Sequence, residues 1–226
     1  MRTSFIQFFS ALALLSSVQA LPSPVSSDSA EPVDQAVQTR DNGPGIALTN
    51  KSGQQVTYYF YNNYWNGDGT AGANFDHPND PPTTVAAGAT VFVSLPTSFK
   101  GRVQRGNTLP ATWVEFQIQA GDGNAHGDVS LEQGCDGAAT ITPSAGGPTG
   151  GFTNDVLSGA PAAAVLNKPD GTKALASTMG NWMGGPNQAA IQYLNQVVGQ
   201  SNAYITGGTG VPDIMSTTKQ FNVVFY

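Results

Sequence analysis

Short runs of β-branched and aromatic residues, cut at close intervals by glycine and proline, leave this chain few folds to adopt. Gly45–Asn50, Gln55–Asn62, Thr90–Leu95, Arg102–Arg105, Trp113–Gln119, Asp128–Leu131 and Phe221–Tyr226 read as strands. Turn signals separate them: Asn66-Gly67-Asp68-Gly69, Pro81-Pro82, Ala87-Gly88, Gly121-Asp122-Gly123 and Gly207-Gly208. The pattern predicts an all-β protein, a sandwich or barrel, and excludes a long-helix architecture. One helix is expected late in the chain. Asn187 suits its N-cap, Ala190, Ile191, Leu194 and Val198 recur at helical spacing, and Gly199 ends it. The segment has no charged residue, so it must pack against the sheets.

Charge narrows the function classes. Charged residues make up 11% of the 226, against about 25% in an average soluble domain. The net charge of −6 argues against a nucleic-acid partner, which needs a Lys/Arg face. The N-terminus reads as a signal peptide, residues 1–20: Arg2, an apolar run from Phe5 to Leu15, and the small-residue end Val18-Gln19-Ala20. That run is too short to span a bilayer, so no membrane insertion is expected. Residues 21–44, rich in Ser, Pro, Asp and Gln and free of aromatics, read as a propeptide or flexible lead-in, with Arg40 a possible processing point. The folded domain is then 45–226, secreted to the extracellular space or cell wall. In that setting the sequon Asn50-Lys51-Ser52 makes Asn50 a candidate glycan site. The chain has a single cysteine, Cys135, so no intramolecular disulfide can staple it and burial must supply its stability. No metal or other cofactor is expected: His77, His126 and Cys135 lack ligand spacing. The Asn66–Thr70 loop lacks the closing Glu of a calcium site.

The residues with chemical potential lie in one hairpin. In Trp113–Gln119 a period of two puts Val114, Phe116 and Ile118 on the core face and Trp113, Glu115 and Gln117 on the other. Asp128 and Ser130 divide from Val129 and Leu131 in the same way. A hairpin across Gly121–Gly123 would bring Glu115 and Asp128 to one face. Two carboxyls on one face suit glycoside hydrolysis, in which one donates a proton and the other activates water or attacks carbon. Trp113, Trp65 and the tyrosines at 58, 59, 61 and 64 are candidates to stack on sugar rings. The same positions also suit ordinary solvent-facing strand residues.

The order of segments resembles the thaumatin-like superfamily, which includes the laminaripentaose-producing β-1,3-glucanases. Ile46-Ala-Leu-Thr-Asn50 resembles the opening strand, and Ala87-Gly88 followed by Thr90–Pro96 resembles the Gly-Glu-x-Trp region. Val114-Glu115-Phe116 is similar to the Leu-Ala-Glu-Phe segment, and Asp128-Val129-Ser130 to the Asp-Val/Ile-Ser segment. Asp155-Val156, Gly159–Ala162, Ala203-Tyr204 and Phe221–Tyr226 continue the likeness to the end of the chain. The resemblance implies a β-sandwich with a small loop and helix extension and an acidic cleft between them. It makes Glu115 the proton donor and Asp128 the base in an inverting reaction. It adds Arg105, Glu132 (beside Gln133, where the third acid falls) and Asp213 to the cleft. The implied activity is that of a monomeric β-1,3-glucan hydrolase. A non-catalytic β-glucan-binding or cell-wall protein, and a secreted effector on the same scaffold, are the alternatives.

Overall fold

The computed structural model describes residues 43–65, 71–72, 79–180, 186–207 and 213–226, without the side chains of residues 64, 65, 71, 72 and 79–81. All lie within the unit Val37–Tyr226. The expected leader, the lead-in up to residue 42, His77, the Asn66–Thr70 loop and the Trp65 side chain are outside the described residues.

The strands in chain order are β1 (Gly45–Asn50), β2 (Val56–Asn62), β3 (Tyr64–Trp65), β4 (Ala71–Gly72), β5 (Asn79–Val85), β6 (Thr90–Ser94), β7 (Lys100–Arg105) and β8 (Trp113–Gln117). They continue with β9 (Ala125–Ser130), β10 (Ala139–Pro143), β11 (Gly150–Gly151), β12 (Val165–Asn167), β13 (Lys173–Leu175), β14 (Ile214–Ser216) and β15 (Gln220–Phe225). The fold is an all-β sandwich of two open sheets. One has five strands in the order β11-β10-β15-β1-β6, the other six in the order β14-β9-β8-β7-β2-β5. Every pairing in both is antiparallel except β1 with β15.

The core forms where the inward sets of the two sheets meet. Ile46, Leu48, Ile141, Phe221, Val223 and Phe225 come from the first sheet, and Tyr58, Phe60, Val103, Val114, Phe116 and Val129 from the second. The Tyr58 and Phe225 rings meet at 4.9 Å. Gly127 lets the sheets close here: a Cβ at that position would lie 2.6 Å from Ile141 Cδ1 and 2.9 Å from the Glu115 carbonyl oxygen. Strand β5 carries Pro81 and Pro82, which the sequence pattern marks as a turn. It lies at the sheet edge, where a residue without an N–H costs no ladder bond.

A smaller extension comprises a 3-10 turn (Ala162–Ala164), the β12-β13 pair and one α-helix, α1 (Gln188–Val197). The Asn187 side chain caps α1 by accepting from the Ala190 N–H, and Ala190 and Leu194 bury its apolar stripe. Backbone bonds in both directions between Cys135 and Leu175 (3.2 and 2.8 Å) attach β13 to the sandwich. Cys135 itself is fully buried, and burial pushes its thiol up to about 11, so it stays protonated.

Asn50 is not a glycan site in this fold. It continues the inward set of Ile46 and Leu48 and is 0% exposed. Its Nδ2 donates to the carbonyls of Gln54 (2.8 Å), Val85 (3.0 Å) and Ala86 (3.2 Å), and its Oδ1 accepts from the Ser52 N–H and hydroxyl. Ser52 thus serves the turn between β1 and β2. A glycosidic bond to Nδ2 would replace one of its two N–H donors and require room for a sugar at a fully buried nitrogen. Two outcomes follow. Expressed through a secretory host, the protein has an unmodified mass at Asn50, checked by peptide mass spectrometry. Asn50→Ala loses about 2–3 kcal/mol of stability in urea titration, the cost of stranding buried carbonyl groups.

Candidate functional site

Strands β7, β8 and β9 lie side by side, and their register decides what faces outward. Arg102 pairs with Glu115, and Glu115 with Asp128. The row extends to Tyr61 on β2. Because Ile214 pairs with Gly127, Asp213 comes level with Asp128 as the chain approaches β14. A second row lies one pleat along: Lys100, Gln117, His126 and Met215. From these rows Glu115, Asp128, Asp213, Lys100, Gln117 and His126 floor a cleft of about 460 Å³, lined also by Glu132, Tyr204, Asn63 and Gly207.

The walls come from distant parts of the chain. Glu132 follows β9, and its main-chain carbonyl accepts from the N–H groups of Thr178 (3.2 Å) and Met179 (3.3 Å) and from the Ser177 hydroxyl (2.6 Å). Tyr204 is fixed by two backbone bonds, its N–H to Val129 O (2.8 Å) and its carbonyl to the Leu131 N–H (2.7 Å). Glu115, Asp128, Glu132 and Asp213 are thereby brought together. Among the described residues, no group of three or more His, Cys, Asp and Glu side chains is arranged to hold a metal ion.

Two of the expected cleft residues lie elsewhere. Arg105 shares the parity of Val103 and so points between the sheets. There it donates to the carbonyls of Asp136 (2.8 Å), Ala138 (3.4 Å) and Tyr226 (3.1 Å). Asp136 also binds Lys168 Nζ at 3.0 Å, so Arg105 belongs to a buried ion cluster joining the extension to the sandwich. Trp113 is on the outward face but only 4% exposed, and it does not line the cleft. The Arg102 guanidinium covers its ring at 3.8 Å and the Tyr61 ring at 4.0 Å. The ring holds a cation rather than a sugar.

Arg102 is the arginine beside Glu115 in register, 1% exposed and beneath the cleft rather than lining it, with its Nε donating to Gln104 Oε1 at 3.0 Å. The sequence carries the signal that separates the two arginines: Val103 is apolar, and Arg102 lies on the opposite face from it. Tyr204 and His126 are two further cleft residues that spacing alone does not single out.

The electrostatics follow from burial and scarce cations. Burial, and then the Glu132 charge, push Glu115 up to about 7, against the pull of Arg102 and a hydrogen bond from Ser130. Asp128 is also raised well above the usual carboxylate range. Burial is the main cause, followed by the charges of Glu115, Asp213 and Glu132, with no cation opposing them. Its Oδ1 is buried with no hydrogen-bond partner among the described residues. A neutral carboxylic acid tolerates that position far better than a carboxylate. Burial and the same four acids raise Tyr204, which stays a neutral phenol. Burial raises Glu132, with the Gly207 N–H opposing.

The fold and cleft define a β-sandwich protein with an acidic, open site on the outward face of its larger sheet. No protein-family model matches the chain, and no curated protein matches it either. Among solved structures, the protein elicitor MoHrip2 from Magnaporthe oryzae is similar at 15% identity and a TM-score of 0.39, over 81% of this chain and 98% of that one.

The raised Glu115 has a consequence for stability. Its folded value of about 7 exceeds its ordinary 4.5, so its contribution is fully present below pH 4.5 and is lost as pH rises through 7. Ionised Glu115 therefore destabilises the fold, by on the order of 3 kcal/mol. Glu115→Gln is expected to match or exceed the parent in stability above neutral pH and to lose this pH dependence. Urea titrations across the range decide it.

Proposed function

We propose that this chain is a secreted member of the thaumatin-like superfamily that hydrolyses β-1,3-glucan, with Glu115 and Asp128 as its catalytic pair. The observation that carries this reading is their direct cross-strand pairing on the floor of an open cleft, where burial raises the proton affinity of both and the charge of Glu115 raises that of Asp128 further. A carboxylic acid beside a carboxylate is the equipment that glycosidic cleavage requires. Lys100, Gln117, Asn63 and Tyr204 supply neutral and cationic donors for sugar hydroxyls around it. The glucan as substrate comes from the likeness of the sequence segments.

The local contacts favour Asp128 as the proton holder. Arg102 and Ser130 stabilise charge on Glu115, and the partnerless Asp128 oxygen disfavours charge there. Asp128 then donates the proton to the departing glycosidic oxygen, and Glu115 takes one from the attacking water. This reverses the roles that the resemblance implies. The singly protonated pair is the active form, so kcat/KM is expected to be bell-shaped in pH, with the Glu115 titration at about 7 setting one limb.

The test is incubation of the chain, freed of its leader, with a soluble β-1,3-glucan, reading released oligosaccharides by chromatography. Release is expected, with Glu115→Gln and Asp128→Asn each slower by about 10²–10⁴-fold. An aryl glycoside, whose leaving group needs no proton, separates the roles. Asp128→Asn retains cleavage of it and Glu115→Gln does not. The opposite result restores Glu115 as the acid. Binding without release at any pH transfers the reading to a glucan-binding protein, and absence of both removes it.

A further inference from the structure

His126 occupies an unusual place beside the acids. Its Nδ1 lies 2.6 Å from Asp213 Oδ2 and its Nε2 lies 3.1 Å from Asp122 Oδ2. Ionised carboxylates only accept hydrogen bonds, and a neutral imidazole has a single N–H. Both contacts are therefore hydrogen bonds only when the ring carries both protons. The three residues come from separate elements: Asp122 from the β8–β9 turn, His126 from β9, and Asp213 from the segment leading into β14. From the other elements around the ring, β8 presents the neutral Gln117, β7 presents Lys100 beyond it, and β14 presents Met215. Asp128 stands two residues along on β9 itself.

We propose that His126 is a positioning residue, which as an imidazolium bonded to both Asp122 and Asp213 holds the Asp213 carboxylate at the cleft mouth and offsets its charge beside Asp128. When the ring loses a proton it can keep only one of its two bonds. The β8–β9 turn and the approach to β14 then separate electrically, and the cleft gains one net negative charge. Burial opposes the charged ring, but the hydrogen bonds and charges of Asp122 and Asp213 outweigh it, and His126 titrates above its ordinary value. The direction is fixed: the bridge is complete at acidic pH and is lost as pH rises through that raised value. The group is partly exposed, so its effect is modest and salt-sensitive.

The bridge is tested without any substrate. In the ¹⁵N-labelled chain, histidine ring spectra are followed against pH, and His126 is assigned by comparison with a His77→Gln variant. The expected result is a ring protonated at both nitrogens at mildly acidic pH, a midpoint above about 6.5, and a lower midpoint in Asp213→Asn. A midpoint unmoved by Asp213→Asn, or a single-N–H tautomer persisting in acid, overturns the proposal. A second readout rests on the glucan reading. Affinity for a β-1,3-linked glucohexaose, measured by calorimetry on the inactive Asp128→Asn chain, should fall by about two- to fivefold between mildly acidic and mildly alkaline pH. In Asp128→Asn/His126→Gln the fall should shrink to what ionisation of Glu115 alone supplies. A fall left undiminished by the His126 change overturns the charge-offsetting role. If no hexaose binds at all, the glucan reading fails while the ring titration still decides the bridge.

Discussion

Strand β8 cannot slide against its neighbours, and the cleft depends on that restriction. Val114 and Phe116 must face the first sheet, where they meet a core closed on the far side by Ile141 and Val223. A slip of one residue would turn that pair to solvent and drive Glu115 into the interior. The tight approach at Gly127 locks the neighbouring strand as well, because no side chain fits between Ile141 and the β8 backbone. The pairing of Glu115 with Asp128 is therefore a by-product of the most strongly determined packing in the molecule. Hydrophobic burial holds two carboxyls together that would separate if they were free.

The protein handles its buried charges in two different ways. In one cluster Asp136 takes ion pairs from both Arg105 and Lys168, and the Thr112 N–H adds a further bond to Asp136 at 3.1 Å. A carboxylate held in this way fixes geometry and leaves little free chemistry. On the outward face the acids outnumber the cations around them. Arg102 is held between the Tyr61 and Trp113 rings, and its charge lowers Glu115 less than burial and the Glu132 charge raise it. The first arrangement stabilises the fold. The second leaves the carboxyls with raised proton affinities, which costs stability and is characteristic of functional sites.

The sequence made some of this legible and concealed the rest for physical reasons. Strands with a buried inner face announce themselves by alternation: β1, β2 and β15 fall within a residue of where that pattern places them, and β8 ends two residues short of it. Helix α1 was legible from its cap and stripe. Strand β5 was hidden because Pro81 and Pro82 are turn residues everywhere except at a sheet edge. Strand β9 begins at Ala125, earlier than its apolar alternation suggests, and that extra length carries His126 to the cleft. Asn50 matches a modification sequon, yet its role depends on carbonyls at residues 85 and 86, which no local reading connects to it. Trp113 looked like a sugar platform because its face was legible and its covering was not: Arg102 arrives from a neighbouring strand.

The walls of the cleft show why the site as a whole exceeds what the hairpin alone reveals. Glu132, Tyr204 and Asp213 are spread over some eighty residues, and each is placed by backbone pairing to β9 or to the segment after it. Ser130 forms a parallel bridge with Tyr204, so β9 has β8 along one side and meets β14 and the Tyr204 segment on the other. Strand β9 thus carries Asp128 and His126 and supports the pieces of chain that enclose them. Charge is rare in this sequence, and a large part of it gathers around this one strand. Desolvation then does what sequence composition cannot: it raises the proton affinity of a few ordinary carboxyls, that of Glu115 to about 7.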